Sequence, residues 1–301
     1  MSKADETAAP EAAATPHVHS VQSLRSWLPL YFRRADRTIE QLSRILSTPG
    51  TTDTLLMAIC YTTRLSAAVL SSISLHRLHQ AAREFVERAI SLPPNTAVII
   101  DTSSIPPSHL LIAAKRLKAL SSLITDFRAF TRLWGLIGIY KWGKSTVLSP
   151  PGDEVLRQIA YAQVLSSIFF QFLENGAYLS SKGVMGWSPE LQGRAWQYST
   201  RFWLMIVALN FVRLYREAVL RAQRGTPEQR RTDGPQGDVI TDRDEAEWSA
   251  KWRKDLVTNL AWAPLTVHWS LEQGLVSEFW IGLLGSVAGV TGMSALLKNT
   301  S

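Results

Sequence analysis

The uncharged stretch Phe279–Leu297, near the end of the chain, limits the possible folds more than any other feature. A helix rises about 1.5 Å per residue, so these residues reach about 28 Å, close to the roughly 30 Å of a hydrocarbon core. Trp280 and Lys298 stand at its two ends, where aromatic and basic side chains reach the membrane interface. We therefore predict a transmembrane helix over residues 279–297.

The alternative interpretation of this stretch is a buried helix in a soluble domain. Its glycines argue against that, because each costs a helix about 1 kcal/mol relative to alanine. Gly285 and Gly289 also form a GxxxG pair, which lets two membrane helices approach closely. We predict that these two glycines pack one helix against another, and we expect a homo-oligomer formed through them.

The overall composition agrees with a membrane protein. Charged residues make up 19% of the 301-residue chain, below the roughly 25% of soluble domains. The net charge of +7 suits either nucleic acid or an anionic membrane surface. The eleven tryptophans favour the second, since tryptophan prefers the bilayer interface. We expect anionic membrane lipids as partners and no nucleic acid.

Changes in composition along the chain predict five regions. The first residues are rich in Ala, Pro and Thr and lack the apolar core of a signal peptide, and Ser20–Leu46 is expected to be a helix broken at Pro29. The single cysteine, Cys60, excludes an intrachain disulfide and suits a reducing compartment. The regions are a disordered tail at 1–22, a cytosolic helical membrane-remodelling region at 23–150, central hydrophobic helices at 153–224, a disordered linker at 225–247 and a C-terminal membrane segment at 248–301.

A second span is less clearly marked. Residues 158–179 reach the length of a span only if Glu174 is included, so they form a possible first span. The stretch Thr54–Leu75 has one charge, Arg64, near its centre, where a charge is costly. We interpret that stretch as a packed or half-buried helix. The C-terminal half thus contains one or two transmembrane helices, and the number of spans decides on which side of the membrane residues 181–255 lie.

Residues 108–134 show the spacing of an amphipathic helix, with apolar residues that recur every three or four positions. Such a helix can lie in the membrane interface with its apolar face inserted. The other interpretation is that this face packs on the helix at 54–90. For membrane insertion we predict Leu117, Leu120, Ile124, Phe127 and Trp134, and for contact with anionic lipids Lys115, Lys118 and Arg132.

One catalytic pattern occurs by letter. Gly138–Ser145 matches the phosphate loop GxxxxGK[ST], with Lys144 as its lysine. A phosphate loop needs a preceding strand, whereas the residues before Gly138 read as helix. His76 and His79 have no neighbouring ligand that would complete a metal site. We therefore expect no catalytic residues, no metal, no cofactor and no enzymatic activity; a nucleotide-driven enzyme that uses Lys144 is the third-ranked hypothesis.

Several segments resemble the peroxin 11 family of peroxisomal biogenesis factors, in particular its fungal members. They cover most of residues 52–297, and the departures are the region at 225–247 and the long N-terminal start. In the first segment Tyr61 and Arg64 match the family pattern, while Cys60 replaces a usual glutamine. The segments are 52–65, 126–135, 174–179, 182–183, 264–275 and the glycine-rich stretch.

The resemblance implies an integral protein of the peroxisomal membrane without enzymatic activity. Such a protein inserts an amphipathic helix, elongates the membrane and prepares it for peroxisome division and proliferation. It acts with the organelle fission machinery, a dynamin-like GTPase and its receptor. The fold that we predict is an all-α membrane protein with a helical N-terminal half. The alternative function is a membrane-anchored adaptor or tether that recruits soluble partners without bending lipid.

Overall fold

The computed structural model describes residues 21–90, 109–223 and 242–300, and in them every regular element is a helix. The all-α prediction is therefore confirmed. A short 3-10 turn, Arg132–Trp134, joins the third and fourth helices. The α-helices of the described residues are α1 Val21–Leu46, α2 Pro49–Ile90, α3 His109–Thr131, α4 Gly135–Leu148, α5 Glu154–Ser181, α6 Pro189–Gln223, α7 Asp242–Ser270 and α8 Glu278–Thr300.

Two predicted boundaries need correction. α1 runs without a break through Pro29, although the sequence suggested an interruption there. The predicted linker at 225–247 overlaps α7, which begins at Asp242, so its last six residues are helical. The rest of that linker, and nearly all of the predicted tail at 1–22, lie outside the described residues.

The chain divides into two compact units, of which the first ends at Arg44 and the second begins at Ile45. α1 supplies the described part of the first unit. In the second unit, α2 is the longest helix and packs against both α3 and α8. α5 packs on α4 and α6, α6 packs on α7, and α7 packs on α8.

α8 lies antiparallel to α2, and its glycines form the contact. A Cβ atom built on Gly282 would lie 2.7 Å from Leu65 Cα, and one on Gly289 would lie 2.8 Å from Ala58 Cα. Gly285 faces the ring of Tyr61 in the same way. Gly285 and Gly289 thus pack helix against helix within one chain, and the helix that they meet is α2.

α3 also lies antiparallel to α2, on another side of it. Arg128 donates to both carboxylate oxygens of Asp53 at 2.7 and 3.1 Å. About two turns further along α2, the hydroxyl of Ser121 donates to the carbonyl of Cys60 at 3.0 Å. Cys60 itself is buried, 2% exposed, between the two helices. These contacts hold α3 along the first half of α2.

A chain of amides joins α5, α6 and α7 inside the second unit. Gln163 of α5 donates to Asn210 of α6 at 2.9 Å, and Asn210 donates to Asn259 of α7 at 3.1 Å. Trp252 adds a bond from its indole N–H to the carbonyl of Leu214 at 3.0 Å. Hydrogen bonds of this kind join helices where apolar attraction between them is weak, as in a bilayer.

The second unit buries many polar side chains alongside its apolar core and exposes many large apolar ones. Among its buried side chains are Gln163, Gln171, Glu174, Ser199, Asn259 and Thr266. Its exposed side chains include Leu123, Ile137, Phe172 and Tyr215, each at least 60% exposed. A soluble protein covers its large apolar residues and rarely exposes extended apolar patches. This distribution is the one expected of helices that face lipid.

Two described helices are long and apolar enough to cross a membrane: α2 over Pro49–Glu87 and α8 over Glu278–Lys298. α8 contains the predicted span at 279–297. α5, which contains the possible first span at 158–179, does not meet the same criterion, whereas α2 does. Arg64, the charge that counted against α2, pairs with Glu278 at 2.8 Å. Pairing lowers the cost of a charge in an apolar helix.

Candidate membrane-contacting surface

The predicted insertion residues on α3 separate into two groups. Ile124 is buried against the neighbouring helix, 8% exposed, and Leu117 is half-buried. Leu120, Phe127 and Trp134 are 42%, 49% and 47% exposed. The apolar face predicted from spacing therefore serves two purposes, since one edge packs in the fold and the other remains uncovered.

Polar residues explain this rotation of the packed face. Ser121 and Arg128 are buried on α3 because they bond to Cys60 and Asp53 of α2. A face chosen by hydrophobicity alone leaves both of them out. Because these bonds direct Ser121 and Arg128 toward α2, the side of α3 that carries Phe127 faces away from α2.

The exposed apolar stripe continues from α3 through the 3-10 turn into α4. Phe130 and Trp134 make an edge-to-face contact, with ring centroids 5.9 Å apart. We call this surface the α3–α4 stripe; it consists of Leu120, Leu123, Phe127, Phe130, Trp134 and Ile137. Leu120, Phe127 and Trp134 belong to the predicted insertion face, whereas Leu123, Phe130 and Ile137 lie beside it and were not among the predicted residues.

The predicted lipid-contacting cations also separate. Lys115 and Lys118 are exposed, as contact with anionic lipid requires. Arg132 instead points into the fold and donates to Glu174 of α5 at 2.9 Å. Its position at the end of α3 places it beside the packed face, where a buried carboxylate is its partner.

Arg132 lines a central cavity of about 480 Å³ between α2, α3, α5, α6 and α7. The cavity also contains Arg64 and Arg128, so three guanidinium groups meet in its wall. Each of them has a carboxylate partner: Glu278, Asp53 and Glu174 respectively. The ion pairs therefore balance the charge of the cavity and tie helices together, which is a structural role.

α1 carries a second amphipathic surface, which sequence reasoning missed. Tyr31, Ile39 and Leu42 recur at helical spacing and are 67%, 63% and 40% exposed. Residues 31–46 also contain four arginines and two acidic residues on the remaining faces. The spacing was visible in the sequence, but the expected break at Pro29 concealed a single continuous helix.

The phosphate-loop pattern has no loop. Gly138–Ser145 lies wholly inside α4, so the helix itself uses the N–H groups that a phosphate would need. In the described part of the chain, no three His, Cys, Asp or Glu side chains come together as metal ligands. The Lys144 hypothesis therefore loses its structural basis.

Asp153 caps the N-terminal end of α5. Its carboxylate accepts the N–H of Leu156 at 3.0 Å and pairs with Arg216 of α6 at 2.7 Å. Arg216 first, and the N–H of Leu156 second, lower the pKa of Asp153 to about 2. The same carboxylate thus caps one helix and fixes it to the next.

Comparison with known proteins gives one family match. The family model of Peroxisomal biogenesis factor 11 (PEX11) matches residues 111–297, more than half of the chain and nearly all of it from α3 to α8. An uncharacterized protein of Schizosaccharomyces pombe is 26% identical over 196 residues, which are 64% of this chain and 81% of that protein. No solved structure matches the chain significantly. α1 and α2 lie outside the matched residues.

Proposed function

Because the chain belongs to the Peroxisomal biogenesis factor 11 family, we propose that it is an integral protein that remodels the peroxisomal membrane and prepares it for division. Family membership gives a role in peroxisome biogenesis and association with the peroxisomal membrane. The proposal adds integral insertion and curvature through an amphipathic helix, without a catalysed reaction. The observation that carries it is the exposed apolar surface beside basic residues on α1 and on α3–α4.

Integral insertion is supported by the α2–α8 pair. Both helices have the length and composition of spans, and their close contact through glycine is a common form of packing between membrane helices. If both cross the bilayer, their antiparallel arrangement brings the start of α2 and the end of α8 to the same side.

The orientation of α3 bears on which helix lies in the interface. α3 runs antiparallel along α2, held by the Asp53–Arg128 and Cys60–Ser121 contacts. A helix cannot lie flat in the interface while it follows a helix that crosses the bilayer. With α2 inserted, the α3–α4 stripe meets lipid from the side, as part of the bundle.

α1 fits the interfacial position better. It belongs to a separate unit, has one apolar face, and ends at Leu46, just before α2 begins at Pro49. If α2 crosses the bilayer, its start at Pro49 lies at the interface, and Leu46 precedes it by only three residues of chain. An amphipathic helix inserts its apolar face about 5–10 Å deep, and each basic residue near an anionic surface contributes about 1 kcal/mol. Expansion of one leaflet in this way favours curvature.

Vesicle tubulation by the full-length protein tests the proposal. The protein is reconstituted into vesicles of phosphatidylcholine with phosphatidylserine, and tubules are counted by electron microscopy. We expect Ile39→Glu on α1 to abolish tubules and Ser43→Glu, on a polar side of the same helix, to retain them. Phe127→Glu and Ser122→Glu form the matched pair for α3. If Phe127→Glu abolished tubules while Ile39→Glu retained them, remodelling would be assigned to α3 instead.

Spherical vesicles with the wild-type protein would reject remodelling and favour the alternative, a membrane-anchored adaptor or tether. In the proposed role, curvature made by this chain prepares a site for the fission machinery, a dynamin-like GTPase and its receptor. A homo-oligomer would concentrate the wedging helices; with Gly285 and Gly289 occupied by α2, its contact would use another surface.

A further inference from the structure

A groove of about 520 Å³ lies between α7 and α8, near the C-terminal end of α8. We call it the α7–α8 groove. Three lysines line it, together with two hydroxyl side chains: Lys251, Lys254, Lys298, Thr291 and Ser294. Two alanines complete the wall, which leaves room between the lysines. The groove lies on different helices from the α3–α4 stripe and from α1.

The positive charge of this groove is not balanced by its own lining. None of its lining residues is acidic. Two carboxylates line a neighbouring pocket together with Lys251, and both are engaged: Asp255 pairs with Arg213 at 3.3 Å and with Lys254 at 3.7 Å, and Glu217 pairs with Arg213 at 3.1 Å. In the central cavity each of the three arginines has its own carboxylate, whereas Lys254 of the groove shares Asp255 with Arg213.

The location of the groove narrows the choice of anion. Lys298 ends the uncharged part of α8, the position at which a span meets the headgroup layer. Lysine is a common phosphate ligand, and hydroxyl groups donate to phosphate oxygens. Three neighbouring ammonium groups repel one another, so a ligand with more than one negative charge gains most from them. A phosphomonoester carries about −1.5 to −2 at neutral pH.

We propose that the α7–α8 groove binds the phosphomonoester headgroup of an anionic membrane lipid. The lysines neutralise the phosphate, and Thr291 donates a hydrogen bond to one of its oxygens. The hydroxyl of Ser294 donates to the carbonyl of Thr291 at 3.0 Å in the free protein and rotates to donate to the bound phosphate. This is a defined site for one lipid molecule, distinct from the diffuse attraction between basic helices and an anionic surface. It does not depend on membrane remodelling by α1 or α3.

Native mass spectrometry of the full-length protein in detergent micelles tests the site. The probes are a phosphatidylinositol monophosphate, phosphatidylserine and inorganic phosphate, each titrated at constant ionic strength. We expect one molecule of the phosphoinositide to bind in preference to phosphatidylserine. Lys254→Gln with Lys298→Gln should weaken its binding about tenfold or more, since each basic residue contributes about 1 kcal/mol.

A matched variant controls for net charge. Lys141→Gln with Lys144→Gln removes the same charge from exposed positions on α4. We expect this variant to keep the affinity for the phosphoinositide within about twofold, because solvent and salt screen exposed charges on a helix that does not line the groove. Equal losses in the two variants, or equal binding of both lipids, would overturn the proposal. If inorganic phosphate displaced the phosphoinositide at an equal concentration, the groove would be a site for free anions and not for a lipid headgroup. Thr291→Val with Ser294→Ala keeps every lysine and should reduce the preference for the phosphomonoester.

Discussion

Gly289 of α8 and Ala58 of α2 touch so closely that a methyl group on Gly289 would lie 2.8 Å from Ala58 Cα. Ala58 is itself buried, 8% exposed. The atom in the way belongs to the backbone of α2, so a side chain at Gly289 requires the two helices to move apart. The α2–α8 pair therefore depends on glycine at this position.

Replacement of Gly289 by alanine should destabilise the protein, in contrast to the same change at Gly292. A Cβ on Gly292 would lie 3.3 Å from the Thr54 Cγ2 methyl group, a contact that a shift of a few tenths of an ångström relieves. Both changes raise helix propensity by about 1 kcal/mol, whereas overpacking costs about 1–3 kcal/mol. Thermal unfolding in detergent should show a lower Tm for Gly289→Ala and an equal or higher Tm for Gly292→Ala; equal shifts would mean that α2 and α8 are not in close contact.

The orientation of α3 against α2 predicts that the same substitution has very different effects on Tm at two adjacent residues, Leu123 and Ile124. Ile124→Glu buries a charge against α2, so it should lower the Tm strongly or prevent folding. Leu123, 67% exposed, points away from that contact, so Leu123→Glu should leave the Tm in detergent nearly unchanged. A larger loss of Tm at Leu123 than at Ile124 would show that α3 packs through the other face.

The Arg128–Asp53 ion pair should couple α3 to α2 energetically. Arg128 is 9% and Asp53 33% exposed, so loss of either partner leaves a charge in a partly buried place. We expect Arg128→Gln to lower the free energy of unfolding by about 2 kcal/mol, between the values of exposed and buried pairs. A double-mutant cycle with Asp53→Asn, by equilibrium unfolding in detergent, should recover part of this loss.

The exposed pair Arg243–Glu247 is the control for that cycle. Its side chains are 85% and 65% exposed and lie one turn apart on α7. Water screens such a pair, so its cycle should show no measurable coupling. Coupling at Arg243–Glu247 as large as at Arg128–Asp53 would mean that burial does not set the strength of these pairs.

Asp153 should make stability depend on acid pH. Its folded-state pKa, about 2, lies below the ordinary value of 3.8, so the charged form stabilises the fold. That stabilisation is fully present above about pH 4 and is lost as the pH falls to about 2. Asp153→Asn keeps a capping side chain but loses the charge. The Tm of the wild type should therefore fall more steeply than that of Asp153→Asn over this interval; parallel curves would exclude the Asp153–Arg216 pair as the cause.

Local patterns were sufficient for much of the fold. The spacing of apolar residues predicted α3 within one residue at its start, and Asp153 marked the start of α5. The uncharged length of 279–297 predicted α8, and its glycines predicted close helix contact. Each of these signals lies within a few turns of one helix, so a single segment contains all the information.

The sequence by itself thus determined that this protein is helical, that α8 suits a membrane, and that Gly285 and Gly289 meet another helix. The tertiary structure decided which helix they meet, and that it belongs to the same chain. It also decided that Ile124 and Arg132 turn inward while Leu123 and Phe127 stay outside. The physical reason is that buried polar groups must find partners: Ser121, Arg128 and Arg132 orient α3 by bonding to α2 and α5, and those partners lie far away in the sequence.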